Sequence, residues 1–239
     1  MTLPTPRRRP QSVTAAAVED IKRYIREQHL RTGDPLPTES EICERLGYSR
    51  SSVREAIRIL STLDIVTVRH GHGTYVSGMS LEPLVNGLVF RTVLEADDSL
   101  GFLGNVVDAR EALDLSLGAE LARSVDGETV EQLNALVEKM RERIAHGEHF
   151  AEEDQAFHRL LVSRTANPLV RELSDAFWQV HDEVMPLLHM DVVSVADRQR
   201  SVEAHQAIVD AVEKGETEAY TAAVREHYAP LRSVIEARV

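Results

Sequence analysis

Four residues able to bind a metal ion or move a proton stand where this chain would otherwise place apolar side chains. Around residue 157, Phe150, Phe157 and Leu161 mark one helical face, and spacing of four then three puts Asp154 on the same line. His158 adjoins it, one turn beyond Asp154. Further along, Val202, Val209 and Val212 define a stripe completed by His205, while Tyr220, Val224 and Leu231 are interrupted by His227. A neutral polar group buried without a partner costs roughly 2–7 kcal/mol, so several pointing inward should satisfy one another or share a ligand. One inward histidine alone is more commonly a hydrogen-bonded core residue. Together the four suit a divalent cation: Asp154 and His158 can bite it from one helix, with His205 and His227 completing the set from two others. Zinc suits three imidazoles and a carboxylate, and nickel, manganese and iron accept the same donors.

Arg110 lies on the stripe Val106, Arg110, Leu113, Leu117, where an inward guanidinium needs an anion. Its planar fork suits a carboxylate, supplied either by a small ligand or by an acidic residue of its own domain. His181 and His189 lie near inward faces, with pocket, packing and surface roles all open; Trp178 belongs to the core or to an interface.

A second set of residues has the types that meet nucleic acid. Thr38 and Glu41 have capping-box spacing before a helix bearing Ile42 and Leu46, and Gly47 can take the left-handed conformation that ends it. The Ser49–Ser52 cluster offers hydroxyl caps for the next helix, and Ser52 with Glu55 repeats the capping-box spacing. Val53, Ile57 and Leu60 form that helix's inward stripe, leaving Ser49, Arg50, Ser51, Ser52 and Arg54 at the end where a recognition helix meets base edges and phosphates. The period then changes to two in Val66-Thr67-Val68 and in Thr74-Tyr75-Val76, around a turn containing His70, Gly71 and Gly73. Helix, sharp turn, helix and β-ribbon make a winged helix-turn-helix. The alternative for Arg50 and Arg54 is a solvated surface.

The elements that position these residues are almost all helical. A helix from about Thr14 to His29 supports the reading unit, and beyond the small-residue junction 77–80 the apolar period predicts helices near 81–96, 102–124, 129–146, 148–165, 168–189, 196–214 and 216–237. The fold class is mainly α: a winged helix-turn-helix at residues 13–77, a linker and connecting helix at 78–100, and an all-helical bundle at 101–239, after a basic tail at 1–12 that reads as disordered. Charge divides the same way. Residues 1–80 carry a net charge of +3 and residues 81–239 a net of −15, within a chain of 239 residues and formal charge −12. The basic excess accompanies the reading helix, against an acidic whole. A single cysteine, Cys43, excludes an intrachain disulfide framework, and no apolar run reaches membrane-span length, so the expected location is cytoplasmic.

Residues 36–76 resemble the reading motif of the GntR-type bacterial regulators, densely and without gaps. The resemblance implies that Arg50, Ser51, Ser52 and Arg54 contact operator DNA and that His70 and Gly71 at the wing tip reach the adjacent groove. In one departure, Ser40 stands where the family usually has arginine, which puts one phosphate or base contact in doubt. Residues from about 105 to 235 are similar to the FCD ligand-binding domain of the FadR subgroup. The matching features are Arg110 with Leu113-Asp114, Asp154 with Phe157-His158, Asn167-Pro168-Leu169, Glu203 with His205 and Ile208, Asp210-Ala211, and His227. In metal-containing members an aspartate and three histidines hold the ion, which carries over to Asp154, His158, His205 and His227. Members that bind acyl-CoA lack this set.

The expectation is therefore a homodimeric DNA-binding regulator, a repressor by family habit, reading an imperfect palindrome. Its effector is a small carboxylate held by Arg110 beside the metal. A purely structural metal with a dimerisation-only bundle is the main alternative. A metal enzyme is disfavoured: Glu203 is the only sequence-near carboxylate able to act as a base, and no nucleophile–base pair or phosphate-binding glycine loop accompanies it.

Overall fold

The structure is a computed structural model and describes residues 12–94, 99–187 and 194–237. The basic tail before Ser12 and His189 lie outside the described residues. The chain divides into two compact units, Met1–Pro83 and Leu84–Val239.

In the first unit, helix ends follow local chemistry. α1 (Val13–Glu27) starts where the Ser12 hydroxyl accepts from the Ala15 amide. α2 (Glu39–Leu46) begins with the Thr38–Glu41 capping box, each side chain taking the other's backbone N–H, and stops at Gly47 in the left-handed region at φ 74°. α3 (Arg50–Thr62) is capped by Ser49, whose hydroxyl accepts from the Ser52 amide at 3.2 Å. The Ser52–Glu55 spacing therefore does not mark the helix start. Ser49 comes first in the chain and already adopts the extended backbone that a cap requires, so Ser52 falls inside the first turn.

β1 (Val66–Arg69) and β2 (Gly73–Val76) pair antiparallel, with Val66 opposite Val76 and Arg69 opposite Gly73. The segment before α2 runs along the outer edge of β2: Gly33 donates to Val76, Val76 to Asp34 and Leu36 to Thr74, at 2.8–2.9 Å. Ile21, Leu36, Ile42, Val53, Ile57, Leu60, Val66 and Val76 close one core, so both reading helices and the ribbon share a single apolar foundation.

In the second unit α4 (Glu82–Leu94) leads to α5 (Ser99–Ser124), α6 (Gly127–Ala145), α7 (Ala151–Val162), α8 (Pro168–Leu187), α9 (Val195–Lys214) and α10 (Thr217–Glu236). α10 packs against α9 and α5, α9 against α6, and α7 against α6 and α8. Tyr220 of α10 lies directly over Gly118 of α5, where a Cβ would come 2.8 Å from the ring. The approach is close because position 118 carries no side chain. α7 begins three residues later than its apolar pattern suggests, since Phe150 sits at the cap and not within the helix. Among the described residues no helix is long and apolar enough to cross a membrane.

Candidate functional site

α7, α9 and α10 bring Asp154, His158, His205 and His227 to one point, with one ligand atom from each within 4.8 Å of all the others. The three imidazoles are buried, and the edge of Phe157 packs on two of them. His205 Nε2 lies 2.8 Å from Asp154 Oδ1, and His158 Nε2 lies 3.1 Å from His227 Nε2.

Proton bookkeeping shows what this cluster can hold. His205 Nδ1 is 2.7 Å from the Ser201 carbonyl, which can only accept, so Nδ1 carries the ring's proton. A neutral His205 then turns a lone pair on the Asp154 carboxylate. His158 sets its Nδ1 3.1 Å from Asp114 Oδ2 and its Nε2 3.1 Å from His227 and 3.5 Å from Asp154, so in its neutral form, with the proton on Nδ1, it turns a lone pair to the cluster as well. Lone pairs facing lone pairs across about 3 Å repel unless protons or a cation lie among them.

Burial pulls the His158 pKa down, but the carboxylates of Asp114 and Asp154 more than reverse this and raise it to about 9. Asp154 is held well below the usual carboxylate range; its burial works the other way and is outweighed by His158 and His205. His227, depressed by burial and by the two neighbouring imidazoles, is held neutral, and its buried Nδ1 has no partner. The place attracts positive charge, which a proton on His158 or a divalent ion can supply, and the donors present fit such an ion.

Beside the cluster opens a cavity of about 170 Å³, bordered by Arg110, Asp154, His181, Arg198, His227 and Tyr228 among others. Arg110 is only 5 % exposed, its guanidinium lies 3.6 Å from the Trp178 ring centre, and its Nε is buried without an acceptor. No ion pair to an acidic neighbour forms among the described residues: Glu111 pairs with Arg232, and Asp114 takes the Tyr228 hydroxyl at 2.7 Å. Trp178 is a core residue that packs on His158 and on Arg110 beside the cavity. His181 also borders it, its pKa pushed down to about 3 by burial and by Arg110.

On the first unit, Ser49, Arg50, Ser51 and Arg54 are exposed at the start of α3, with Ser52 half-buried among the hydroxyls. The Ser49 hydroxyl lies 2.9 Å from that of Ser51 and 2.8 Å from that of Ser52. Arg54 meets Glu39 at 3.3 Å, an exposed pair of little energetic weight that DNA phosphates would readily displace. His70 and Gly71 are exposed at the tip of the ribbon, with Gly71 at φ 78°. Ser40 is exposed at the start of α2.

Known families cover both units. The FCD domain matches residues 105–230, more than half the chain, and the gntR family of bacterial regulatory proteins matches residues 13–76. The chain belongs to the GntR family and carries an FCD domain. GntR relatives include the Bacillus subtilis protein described as the uncharacterised HTH-type transcriptional regulator YcbG, 28 % identical over 85 % of this chain and 82 % of its own. The HTH-type transcriptional repressor NanR of Cronobacter sakazakii is 26 % identical over 87 % of this chain and 80 % of its own. The galactonate operon transcriptional repressor of Escherichia coli is 23 % identical over 75 % and 78 %. A Streptococcus agalactiae GntR structure shares the fold at TM-score 0.63, 24 % identical, covering 92 % of this chain and 99 % of that one.

As a GntR-family protein the chain is a DNA-binding transcription regulator, with the winged unit at its N-terminal side and the helical FCD unit after it. Sequence reasoning singled out all four clustered side chains and Arg110. It gave no role to three neighbours that shape the site. Asp114 falls one turn after Arg110 on the same inward face, and Tyr228 directly follows His227. Arg198 lies seven residues before His205, two turns back along one face of α9. Periodicity sets Asp114 and Arg198 on inward faces, but only the packing of neighbouring helices brings all three beside the cluster.

Proposed function

We propose that this protein is a homodimeric repressor whose operator affinity is set by a small organic acid bound beside a divalent metal in the FCD domain. One observation carries the reading. Three buried imidazoles and a half-buried carboxylate border a cavity into which Arg110, without a carboxylate partner among the described residues, also faces. Asp154, His158, His205 and His227 would hold the ion, zinc by donor type, with nickel, manganese and iron compatible. Bound there, the ion would supply Lewis-acid attraction for a carboxylate oxygen.

The rest is the work of the chain. Arg110, its plane fixed against Trp178, receives the effector's carboxylate through its fork. His181, held neutral, adds no competing positive charge. The cluster draws on α7, α9 and α10, and Arg110 on α5, so an occupant ties four helices together. In each protomer Ser49, Arg50, Ser51, Ser52 and Arg54 would enter the major groove of one half-site of an imperfect palindrome, with His70 and Gly71 at the neighbouring groove. An effector shifts this equilibrium only by its differential affinity for the DNA-competent and incompetent states, typically about 1–3 kcal/mol or roughly 5- to 150-fold in operator binding. The relative named for a galactonate operon fits control by an organic acid.

The cavity also weighs against a purely structural metal, because a dimerisation-only bundle gains nothing by leaving Arg110 uncompensated beside open space. Glu203, the carboxylate considered as a base for metal-dependent catalysis, is exposed on α9. The test is operator binding by fluorescence anisotropy across a panel of small carboxylates, with and without chelator, for wild type and Arg110→Ala. An acid that shifts operator affinity only in metal-loaded wild type supports the proposal. Equal responses from loaded and stripped protein to every acid would defeat it.

A further inference from the structure

Arg110 is not the only guanidinium facing the cavity. Arg198, in the first turn of α9, borders the same space and has a buried Nε without an acceptor. Its Nη1 donates to the Glu148 carbonyl at 3.1 Å, a bond that steers the side chain without neutralising it. The acidic groups nearby are already committed. Asp197 takes the Ser194 hydroxyl at 2.6 Å and pairs with Arg200, and the Glu148 carboxylate meets Arg143 at 2.6 Å.

From these two guanidinium groups, each with a buried Nε lacking an acceptor and carried by different helices, we infer that the effector is a small dicarboxylate, one carboxylate taken by Arg110 and the other by Arg198. The inference rests on the effector reading of this pocket and names the ligand's class. Charge supports it: Asp154 and Asp114 match a divalent ion, and no carboxylate among the described residues forms an ion pair with Arg110 or Arg198. Size supports it too. A cavity near 150 Å³ accepts a benzene-sized molecule, so about 170 Å³ with an open side suits an acid of about six to ten non-hydrogen atoms. Buried charge-assisted forks discriminate strongly against a ligand that leaves one of them unpaired. Arg198 is thereby the residue that separates diacids from monoacids, while Arg110 serves both.

Calorimetric titration of the full-length, zinc-loaded protein tests this with matched pairs: malate against 2-hydroxybutyrate, succinate against butyrate, and glutarate against pentanoate. In wild type the diacid of at least one pair binds about 10- to 100-fold more tightly than its monoacid. Arg198→Gln brings the diacid down to the monoacid's affinity and leaves the monoacid unchanged, Arg198→Lys restores part of the preference, and Arg110→Gln weakens both. Circular dichroism checks that each variant is folded. Monoacids binding as well as diacids, inorganic phosphate binding as well as the best diacid, or a preference that survives Arg198→Gln would overturn the inference while leaving the effector pocket standing. No binding by any acid to zinc-loaded wild type would overturn both.

Discussion

At the scale of single residues, the site is governed by groups that touch no ligand. Asp114 faces His158 Nδ1 at 3.1 Å and is itself held by the Tyr228 hydroxyl, so it fixes which nitrogen of His158 is left to face the cluster. Asp114→Asn should weaken zinc binding by about 10- to 100-fold in competition with a chromophoric chelator while the helical content stays unchanged. Unaltered affinity would mean that the carboxylate only packs. His181 carries a pH consequence. Unfolded, it binds a proton below about pH 6.5; folded, it resists until about pH 3. Between those values the unfolded chain holds more protons, so acidification costs stability. From pH 7 to pH 5 the single group accounts for about 2 kcal/mol, and His181→Leu should flatten the denaturant midpoint over that interval relative to wild type.

At the scale of elements, the caps carry the reading helix and the glycine carries the bundle. Ser49→Ala removes the oxygen that satisfies the Ser52 amide and should cost the first unit about 1 kcal/mol in urea unfolding. Gly118→Ala sets a methyl against the 1 %-exposed Tyr220 ring, whose hydroxyl is tied to the Asp114 carbonyl at 2.9 Å. The ring has no room to withdraw, so the second unit should lose about 1–3 kcal/mol. If both variants melt like wild type, the packing account of these elements fails.

The same elements show what was legible beforehand. Helices were readable because their ends carry local signals, such as the Thr38–Glu41 box and the glycines at 47 and 215, and because their apolar periods are long. The Gly33–Leu36 strap along β2 was not, since it depends on backbone pairing with residues about forty positions away and has no alternating pattern of its own. Likewise the four clustered side chains announced themselves as polar interruptions of apolar stripes. Asp114, Tyr228 and Arg198 became informative only once neighbouring helices brought them beside those residues.

At the scale of the whole molecule, a DNA-binding unit of positive charge is joined to an acidic helical FCD unit. Arg50→Ala with Arg54→Ala should reduce operator affinity and lower the slope of log affinity against log salt by about two, if both meet phosphates. An unchanged slope and affinity would remove α3 from the interface. Stripping the metal should lower the melting transition of the helical unit far more than that of the winged unit; zinc at a thousand times its dissociation constant contributes about 4 kcal/mol to the unit that binds it.

The three helices that supply the cluster are strung out along the chain, with seventy-odd residues between Asp154 and His227. During synthesis the winged unit, complete by Val76, leaves the ribosome able to close its core long before α10 emerges. On the proposed reading, newborn chains would pass through an interval in which they carry the DNA-binding unit but not yet the effector pocket, and a cell short of the ion would prolong that interval into the finished protein.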